Sequence, residues 1–318
     1  MDHKKYPSEL RFDIVSKNWV VIATGRARRP DAFQEEGGVL PISKEECPFE
    51  DLPFENKSAI AVPNKYPAFF PFTSPTTKLV GPYQVMDGVG FHEVLVTKDH
   101  VRDVGDFSVE ETKELIDLYQ ERYFAFMKEE FINYIAIFKN KGQRAGATVA
   151  HPHSQVIATP VMNPDIQRSL AGSKEYYDTN KKCAHCVMLE WELRDKSRIV
   201  FEDDCFVALC PFASTVAFEI RLYPKAHLSN FEKATENEKM CFAQALAVSM
   251  KKIKKALNDP DYNYFLHTSP VDGESYAHYH WHLEILPKTS TLAGFELSTG
   301  ILISTIEPEK AAEFLRKC

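Results

Sequence analysis

Several features that would narrow the possible functions are missing from this chain of 318 residues. No apolar run approaches the roughly 18 residues of a membrane helix, and the N-terminus lacks the apolar core of a signal peptide. The seven cysteines are an odd number without the spacing of a disulfide framework, so we expect thiols and metal ligands in a cytoplasmic protein. The formal net charge of -7 disfavours binding along a nucleic-acid backbone, which needs a basic surface.

The most informative segment is the run Ala-His-Pro-His-Ser-Gln at residues 150–155. Side chains on a strand repeat every two residues, so His151, His153 and Gln155 are predicted to share one face. A glycine-bearing loop at 140–146 precedes the run, and such loops bring backbone N–H groups close to a phosphate. Taken alone, the two histidines could equally be a buried pair or a pair that only binds metal.

A second copy of this pattern occurs at residues 278–284, His-Tyr-His-Trp-His-Leu-Glu. Its upstream landmarks repeat as well. His227 follows His100 by 127 residues. Thr235 follows Ser108 by the same number, and each begins a helix-start signature of the S/T-x-x-E type. Because order and spacing are both preserved, the sequence predicts an internal duplication.

The pattern of strands and helices predicts an α+β fold, with a mostly antiparallel sheet and helices packed on it. Apolar positions at helical spacing predict long helices at 108–131 and 235–258. We expect residues 1–165 to form an N-terminal catalytic half and residues 166–318 a C-terminal half with a structural metal site. The polar stretch 161–182 is predicted to be the linker between them.

An ordered set of motifs runs through the whole chain. They are Arg26-x-x-Arg29-Pro30, Cys47-Pro-Phe, Asn64 within Pro-Asn-Lys-Tyr-Pro, Asn140-Lys-Gly142, His151-Pro-His-Ser-Gln155, Pro224-Lys-Ala-His227, His280-Trp-His282 and Gly294-Phe-Glu296. This set resembles the galactose-1-phosphate uridylyltransferases, the transferase branch of the histidine-triad superfamily, together with their ADP-glucose phosphorylase-like relatives. The resemblance implies a duplicated histidine-triad-like fold that forms a homodimer. It also implies ping-pong transfer of a nucleoside monophosphate through a nucleotidyl-histidine.

Within this family the second histidine of His-Pro-His is the nucleophile, which here is His153. A neutral imidazole nitrogen can attack a phosphorus atom if a hydrogen bond holds its other nitrogen in one tautomer. Gln155 matches a glutamine that suits a phosphate oxygen, and hydrolase relatives carry histidine there, so Gln155 favours transfer over hydrolysis. The substrate-binding candidates are Arg26, Arg29, Asn64, Asn140, Gly142, Thr148, Gln155 and Glu296.

Some of these candidates have a simpler interpretation. Arg26 and Arg29 could be solvated surface charges, and Asn64 and Asn140 could only shape turns. In the second half Glu284 stands in the place of Gln155, and that half has no equivalent of Asn140. We therefore expect it to be structural and not catalytic.

Two sets of metal ligands are predicted. Structural zinc takes about four ligands, often with a two-residue gap between the first two. The set Cys183, Cys186, His227 and His280 meets that requirement. The corresponding first-half set is Cys47, Glu50, His100 and His151, with a glutamate where the family usually has a cysteine. Either a carboxylate replaces the thiolate in a second zinc site, or the site is lost and its histidines form hydrogen bonds instead.

The C-terminal segment leaves the substrate open. Glu296 matches a glutamate that contacts the hexose, but the glutamine that follows in uridylyltransferases has no counterpart in 301–305. Ser154 resembles the ADP-glucose phosphorylase relatives, in which the acceptor is inorganic phosphate. The leading interpretation is a UDP-glucose–hexose-1-phosphate uridylyltransferase of galactose metabolism, and the second is an ADP-glucose phosphorylase. A hypothesis of another class is a non-catalytic, zinc-stabilised nucleotide-binding module.

Overall fold

The computed structural model describes residues 8–23 and 43–318. Its strands are β1 (Glu9–Phe12), β2 (Trp19–Ile22), β3 (Ala59–Pro63), β4 (Thr77–Val80), β5 (Tyr83–Met86), β6 (Phe91–Thr97), β7 (Tyr134–Lys141), β8 (His153–Thr159), β9 (Ile199–Glu202), β10 (Phe206–Leu209), β11 (Ile220–Pro224), β12 (Tyr262–His267), β13 (His282–Pro287) and β14 (Leu302–Ser304). Its α-helices are α1 (Val109–Phe126), α2 (Pro164–Asn180), α3 (Ala184–Asp195), α4 (Glu236–Ala256), α5 (Gly294–Thr299) and α6 (Pro308–Lys317).

One nine-stranded sheet organises the molecule, in the order β3-β6-β8-β7-β12-β13-β11-β10-β9. Every neighbouring pair in this sheet is antiparallel. Outward from the central β7–β12 pair, each side repeats the same plan: a strand that starts in a His-x-His motif, then a strand that leads toward a further histidine. The predicted α+β class, the antiparallel sheet and the duplication are confirmed.

The two long helices cover one face of this sheet. Helices α1 and α4 begin at Ser108 and Thr235, and each of these side chains accepts a hydrogen bond in a capping box. Ile137 of β7 and Val156 of β8 join both helices in the main core. Because strand side chains alternate, His153 and Gln155 lie on the other face of the sheet.

The predicted linker at 161–182 is wrong, because most of it is helix α2. The side chain of Asn163 caps this helix by accepting from the Asp165 N–H, and Pro164 occupies its first turn. Ile166 and Leu170 form its buried stripe, with polar residues on the other sides. The polar face suggested a linker although one side of the segment is packed. The division into residues 1–165 and 166–318 stays a prediction.

The expectation of free thiols is wrong for one pair, since Cys205 and Cys241 form a disulfide between the start of β10 and helix α4. Nothing in the spacing of the cysteines indicates this pair, because only packing brings α4 against β10. The free cysteines are Cys47, Cys183, Cys186, Cys210 and Cys318. Among the residues that the structure describes, no helix has both the length and the apolar character to cross a membrane.

Candidate active site and metal clusters

The imidazole of His153 is held in one tautomer at the start of β8. Its Nδ1 lies 2.8 Å from the backbone oxygen of His151. A carbonyl only accepts, so Nδ1 carries the proton and Nε2 keeps a free electron pair. Burial lowers the pKa of His153 to about 4, against the opposing effect of this hydrogen bond. The ring is therefore neutral at pH 7, the form that a nucleophilic imidazole requires.

Gln155 is oriented by His92, a residue that the sequence analysis did not single out as functional. The Nδ1 of His92 accepts from the Ala68 N–H at 3.1 Å, so its Nε2 donates to the Gln155 Oε1 at 2.8 Å. The amide NH₂ of Gln155 remains as the donor. The side-chain nitrogen of Asn64 lies 3.0 Å from the same His92 Nε2. Register could have indicated His92, because Val94, two residues on, pairs with Gln155.

The second half of the chain supports the glycine loop. Gly142 has φ +81°, and a Cβ at this position would lie 1.9 Å from the Asp261 carboxylate. That carboxylate accepts from the Arg144 N–H at 2.8 Å, and Asn263 donates to the Asn140 side-chain oxygen at 2.7 Å. Asn140 and Gly142 therefore lie in a turn whose shape depends on β12 and the residue before it.

The remaining substrate-binding candidates are not joined to His153 by the contacts above. Thr148 is exposed between the glycine loop and β8. Glu296 is half-buried in α5, where its carboxylate accepts from the Ala293 N–H at 3.1 Å. Arg26 and Arg29 lie outside the described residues.

The predicted second-half metal ligands converge. The ligand atoms of Cys183, Cys186, His227 and His280 all lie within 4.8 Å of one another. The Nε2 of His280 donates to the Pro224 oxygen at 2.9 Å, which leaves its Nδ1 free to face the Cys186 sulfur at 3.6 Å. The hydrogen bond from Cys186 lowers the pKa of Cys183, so the thiolate form of this ligand is favoured.

The first-half set converges as well. Cys47, Glu50, His100 and His151 also place ligand atoms within 4.8 Å of one another. The Nε2 of His151 donates to the Thr97 oxygen at 2.6 Å, and its Nδ1 faces the Cys47 sulfur at 3.3 Å. Thr97 precedes Pro224 by 127 residues, so the orienting carbonyl is duplicated along with the histidine. His100 and Glu50 also contact each other directly, at 2.8 Å.

The counterpart of the nucleophile in the second half has different surroundings. His282 repeats the Nδ1 hydrogen bond, to the His280 oxygen at 3.1 Å. Its Nε2, however, faces the Glu284 carboxylate at 3.4 Å, and Arg221 lies 2.9 Å from the same oxygen. A cavity of about 650 Å³ adjoins these residues. A carboxylate here would repel the phosphate that Gln155 is suited to bind in the first half.

Known proteins resemble the chain over nearly its full length. Residues 1–163 match the family model described as galactose-1-phosphate uridyl transferase, N-terminal domain. Residues 88–317 match a domain of unknown function, DUF4921. The ADP-glucose phosphorylase of Arabidopsis thaliana is 34% identical over 97% of this chain and 92% of its own length. The galactose-1-phosphate uridylyltransferase of Thermotoga maritima is 31% identical over 97% and 98%, respectively.

A solved structure of the Arabidopsis thaliana ADP-glucose phosphorylase with bound ADP-glucose has the same fold. It superposes with a TM-score of 0.80 at 32% identity, covering 98% of this chain and 99% of that one. A structure described as a uridylyltransferase superposes with a TM-score of 0.78 at 25% identity, covering 97% of each chain.

Replacing Gly142 by alanine tests the turn that supports the candidate site. We expect Gly142→Ala to lower the free energy of unfolding by more than the roughly 1–2 kcal/mol that a left-handed backbone costs an ordinary residue, because its Cβ also overlaps Asp261. Urea unfolding measures this difference. Gly81→Ala is the matched control, since Gly81 has φ +62° and a Cβ added there would have no atom within 4 Å. Equal losses in the two variants would contradict a role for the Asp261 contact.

Proposed function

The chain belongs to the galactose-1-phosphate uridylyltransferase family, and we propose that it transfers a nucleoside monophosphate from a nucleotide-sugar to a second phosphate through His153. The observation that carries this proposal is the tautomer of His153, with Nδ1 donating to the His151 carbonyl and Nε2 unprotonated. A non-catalytic nucleotide-binding module would not need a buried imidazole prepared in this way.

The proposed reaction has two steps. In the first, Nε2 of His153 attacks the α-phosphorus, the bond from that phosphorus to the bridging oxygen breaks, and hexose 1-phosphate leaves. In the second, an oxygen of the acceptor phosphate attacks the phosphorus and releases neutral His153. The NH₂ of Gln155, turned outward by His92, would donate to a non-bridging oxygen in both steps.

Two forms of this reaction are proposed. The leading one is uridylyl transfer between UDP-glucose and a hexose 1-phosphate in galactose metabolism, which the matching family model supports. The second is ADP-glucose phosphorolysis, with inorganic phosphate as acceptor. It is favoured by the resemblance to the phosphorylase and by the missing glutamine after Glu296.

Zinc is the proposed metal for the cluster of Cys183, Cys186, His227 and His280. Two sulfur and two nitrogen ligands are a donor set typical of tetrahedral structural zinc, and a carbonyl orients the ring of His280. Cys47, Glu50, His100 and His151 fit a second zinc with one oxygen ligand. When bound, either ion would supply fold stability, and we assign it no step of the transfer.

A homodimer and a cytoplasmic location complete the proposal. Exposed apolar side chains in and beside α5 support a partner subunit on that surface: Leu292 is 50% exposed, Phe295 48% and Leu297 72%. The free thiols support a reducing compartment, whereas the Cys205–Cys241 disulfide is an argument against it.

The nucleophile is tested by trapping the nucleotidyl-enzyme. We expect the wild-type protein to gain the mass of one nucleoside monophosphate on incubation with UDP-glucose or ADP-glucose, and His153→Ala to gain none. Intact-mass spectrometry measures the adduct. His282→Ala is the matched control and should still form it, because Glu284 occupies the phosphate side of that histidine. An adduct on the His153→Ala protein would refute the assignment.

The zinc cluster is tested by removing one ligand. Cys186→Ser should lower the zinc content and the thermal midpoint together, because binding energy at a structural site is folding energy. Elemental analysis and calorimetry on the same preparations measure both. Cys318→Ser removes a free cysteine outside the cluster and should change neither. Full zinc occupancy in Cys186→Ser would contradict the proposed ligand set.

The acceptor is tested on the isolated nucleotidyl-enzyme, so that the first step is excluded. Galactose 1-phosphate and inorganic phosphate are added separately, and the rate of adduct loss is followed. Discharge at least tenfold faster by galactose 1-phosphate would establish the uridylyltransferase, since a polar contact made only to the correct substrate discriminates by factors of about ten or more. Equal or faster discharge by phosphate would establish the phosphorylase.

A further inference from the structure

Polar side chains lie inside the core directly beneath the candidate nucleophile, on the helix side of the sheet. This polar layer consists of Lys139, Asp103, Tyr262, Ser154, Tyr119 and Tyr264. Every member is at least nine-tenths buried, and Lys139 is only 1% exposed. Burying a charged pair costs free energy that apolar packing would not, so its presence in a core calls for an explanation.

The ammonium of Lys139 connects the polar layer to the backbone of His153. Its Nζ lies 3.0 Å from the Asp103 Oδ1 and donates to the His153 carbonyl oxygen at 3.1 Å. The β7–β8 register ends at the pair Phe138–Gln155, so His153 lies beyond the last pair of that ladder. Lys139 therefore holds the strand at the point where β7 departs into the glycine loop.

The other members fix the same strand from below. The Ser154 hydroxyl lies 2.6 Å from the hydroxyl of Tyr119 and 3.2 Å from that of Tyr264. The Tyr262 hydroxyl donates to the Asp103 Oδ2 at 2.6 Å. Two successive residues, His153 through its carbonyl and Ser154 through its side chain, are thus tied to groups in the core.

The second half of the chain shows that the fold does not require this layer. The counterparts of Lys139, Tyr119 and Ser154, which follow them by 127 or 129 residues, are Leu266, Leu246 and Leu283. All three leucines belong to the main apolar core, beneath His282. The same sheet and the same two long helices therefore pack with aliphatic side chains under the histidine that faces a carboxylate. Only the histidine with a free Nε2 has a buried cation beneath it.

We propose that Lys139 is a positioning residue for His153: its ammonium, held by Asp103, fixes the His153 carbonyl and so aims the imidazole Nε2 at the α-phosphorus. The inference rests on the proposed nucleotidyl transfer. Lys139 is buried beneath the sheet and touches no substrate. Its effect should appear in the rate of nucleotidylation and not in nucleotide affinity, since small misalignment of a nucleophile slows the chemical step.

The test separates positioning from stability. Lys139→Met alone leaves Asp103 buried without its cation, and Asp103→Asn alone leaves Lys139 unpaired, so both single variants should have lowered thermal midpoints. The double variant removes both charges, and its midpoint should exceed those of the single variants. Leu246→Ala, in the aliphatic layer of the other half, is the control for destabilisation without loss of the polar layer.

Three quantities are measured on each protein well below its thermal midpoint: the single-turnover rate of adduct formation, the dissociation constant of the nucleotide-sugar, and the nitrogen chemical shifts of the His153 ring. We expect the double variant to form the adduct about 10- to 100-fold more slowly, with the dissociation constant within about threefold of wild type. Its His153 nitrogen shifts should also change. Leu246→Ala should retain the wild-type rate and shifts.

A double variant that regains stability together with the wild-type rate, or that keeps the wild-type His153 shifts, would overturn the inference. Failure of the proposed function gives a different result, in which the wild-type protein forms no adduct with any nucleotide-sugar. The nitrogen shifts then decide the positioning role alone, because they do not require turnover.

Discussion

The pairing of β7 with β12 is the contact on which the rest of this structure depends. It joins the two halves of a duplicated chain into one sheet, through the register Tyr262–Lys141 to Phe265–Phe138. The same pairing places Asp261 and Asn263 against the glycine loop, and Tyr262 and Tyr264 in the core beneath β8. The second half, whose own histidine faces a carboxylate, is thus part of the support for the first. A catalytic half separated from it would lose both the turn at Gly142 and two hydroxyls of the polar layer.

Duplication conserved the way in which each histidine is held and changed what each one faces. In both halves the first histidine donates through Nε2 to a carbonyl of the adjacent strand, and the second donates through Nδ1 to the carbonyl of the first. The difference lies two residues later, where Gln155 presents an amide and Glu284 a carboxylate. A single change of charge is enough to separate a site that can accept a phosphate from one that repels it, since the backbone geometry is shared.

Metal ligation and the proposed chemistry meet on the same strand without using the same atoms. His151 faces the Cys47 sulfur with Nδ1, while its carbonyl sets the tautomer of His153. An ion at this cluster would fix the backbone that the nucleophile hydrogen-bonds to, with no need to contact substrate. Lys139 acts on that strand from the opposite side of the sheet. His153 is therefore constrained on both sides by groups that do not react.

Much of the site could be predicted from the sequence because its signals are local or repeated. The period of two places His151, His153 and Gln155 on one face, and the duplicated spacing brings Cys183 and Cys186 to His227 and His280. The polar segment at 161–182 was misassigned because helix α2 buries only a narrow stripe, which polarity averaged along the segment conceals. Tertiary structure alone decided the orientation of Gln155 by His92, the Cys205–Cys241 disulfide and the contact of Lys139 with the His153 carbonyl. These pairs are separated along the chain and have no periodicity in common, so only the register of the folded sheet and the packing of helices against it bring them together.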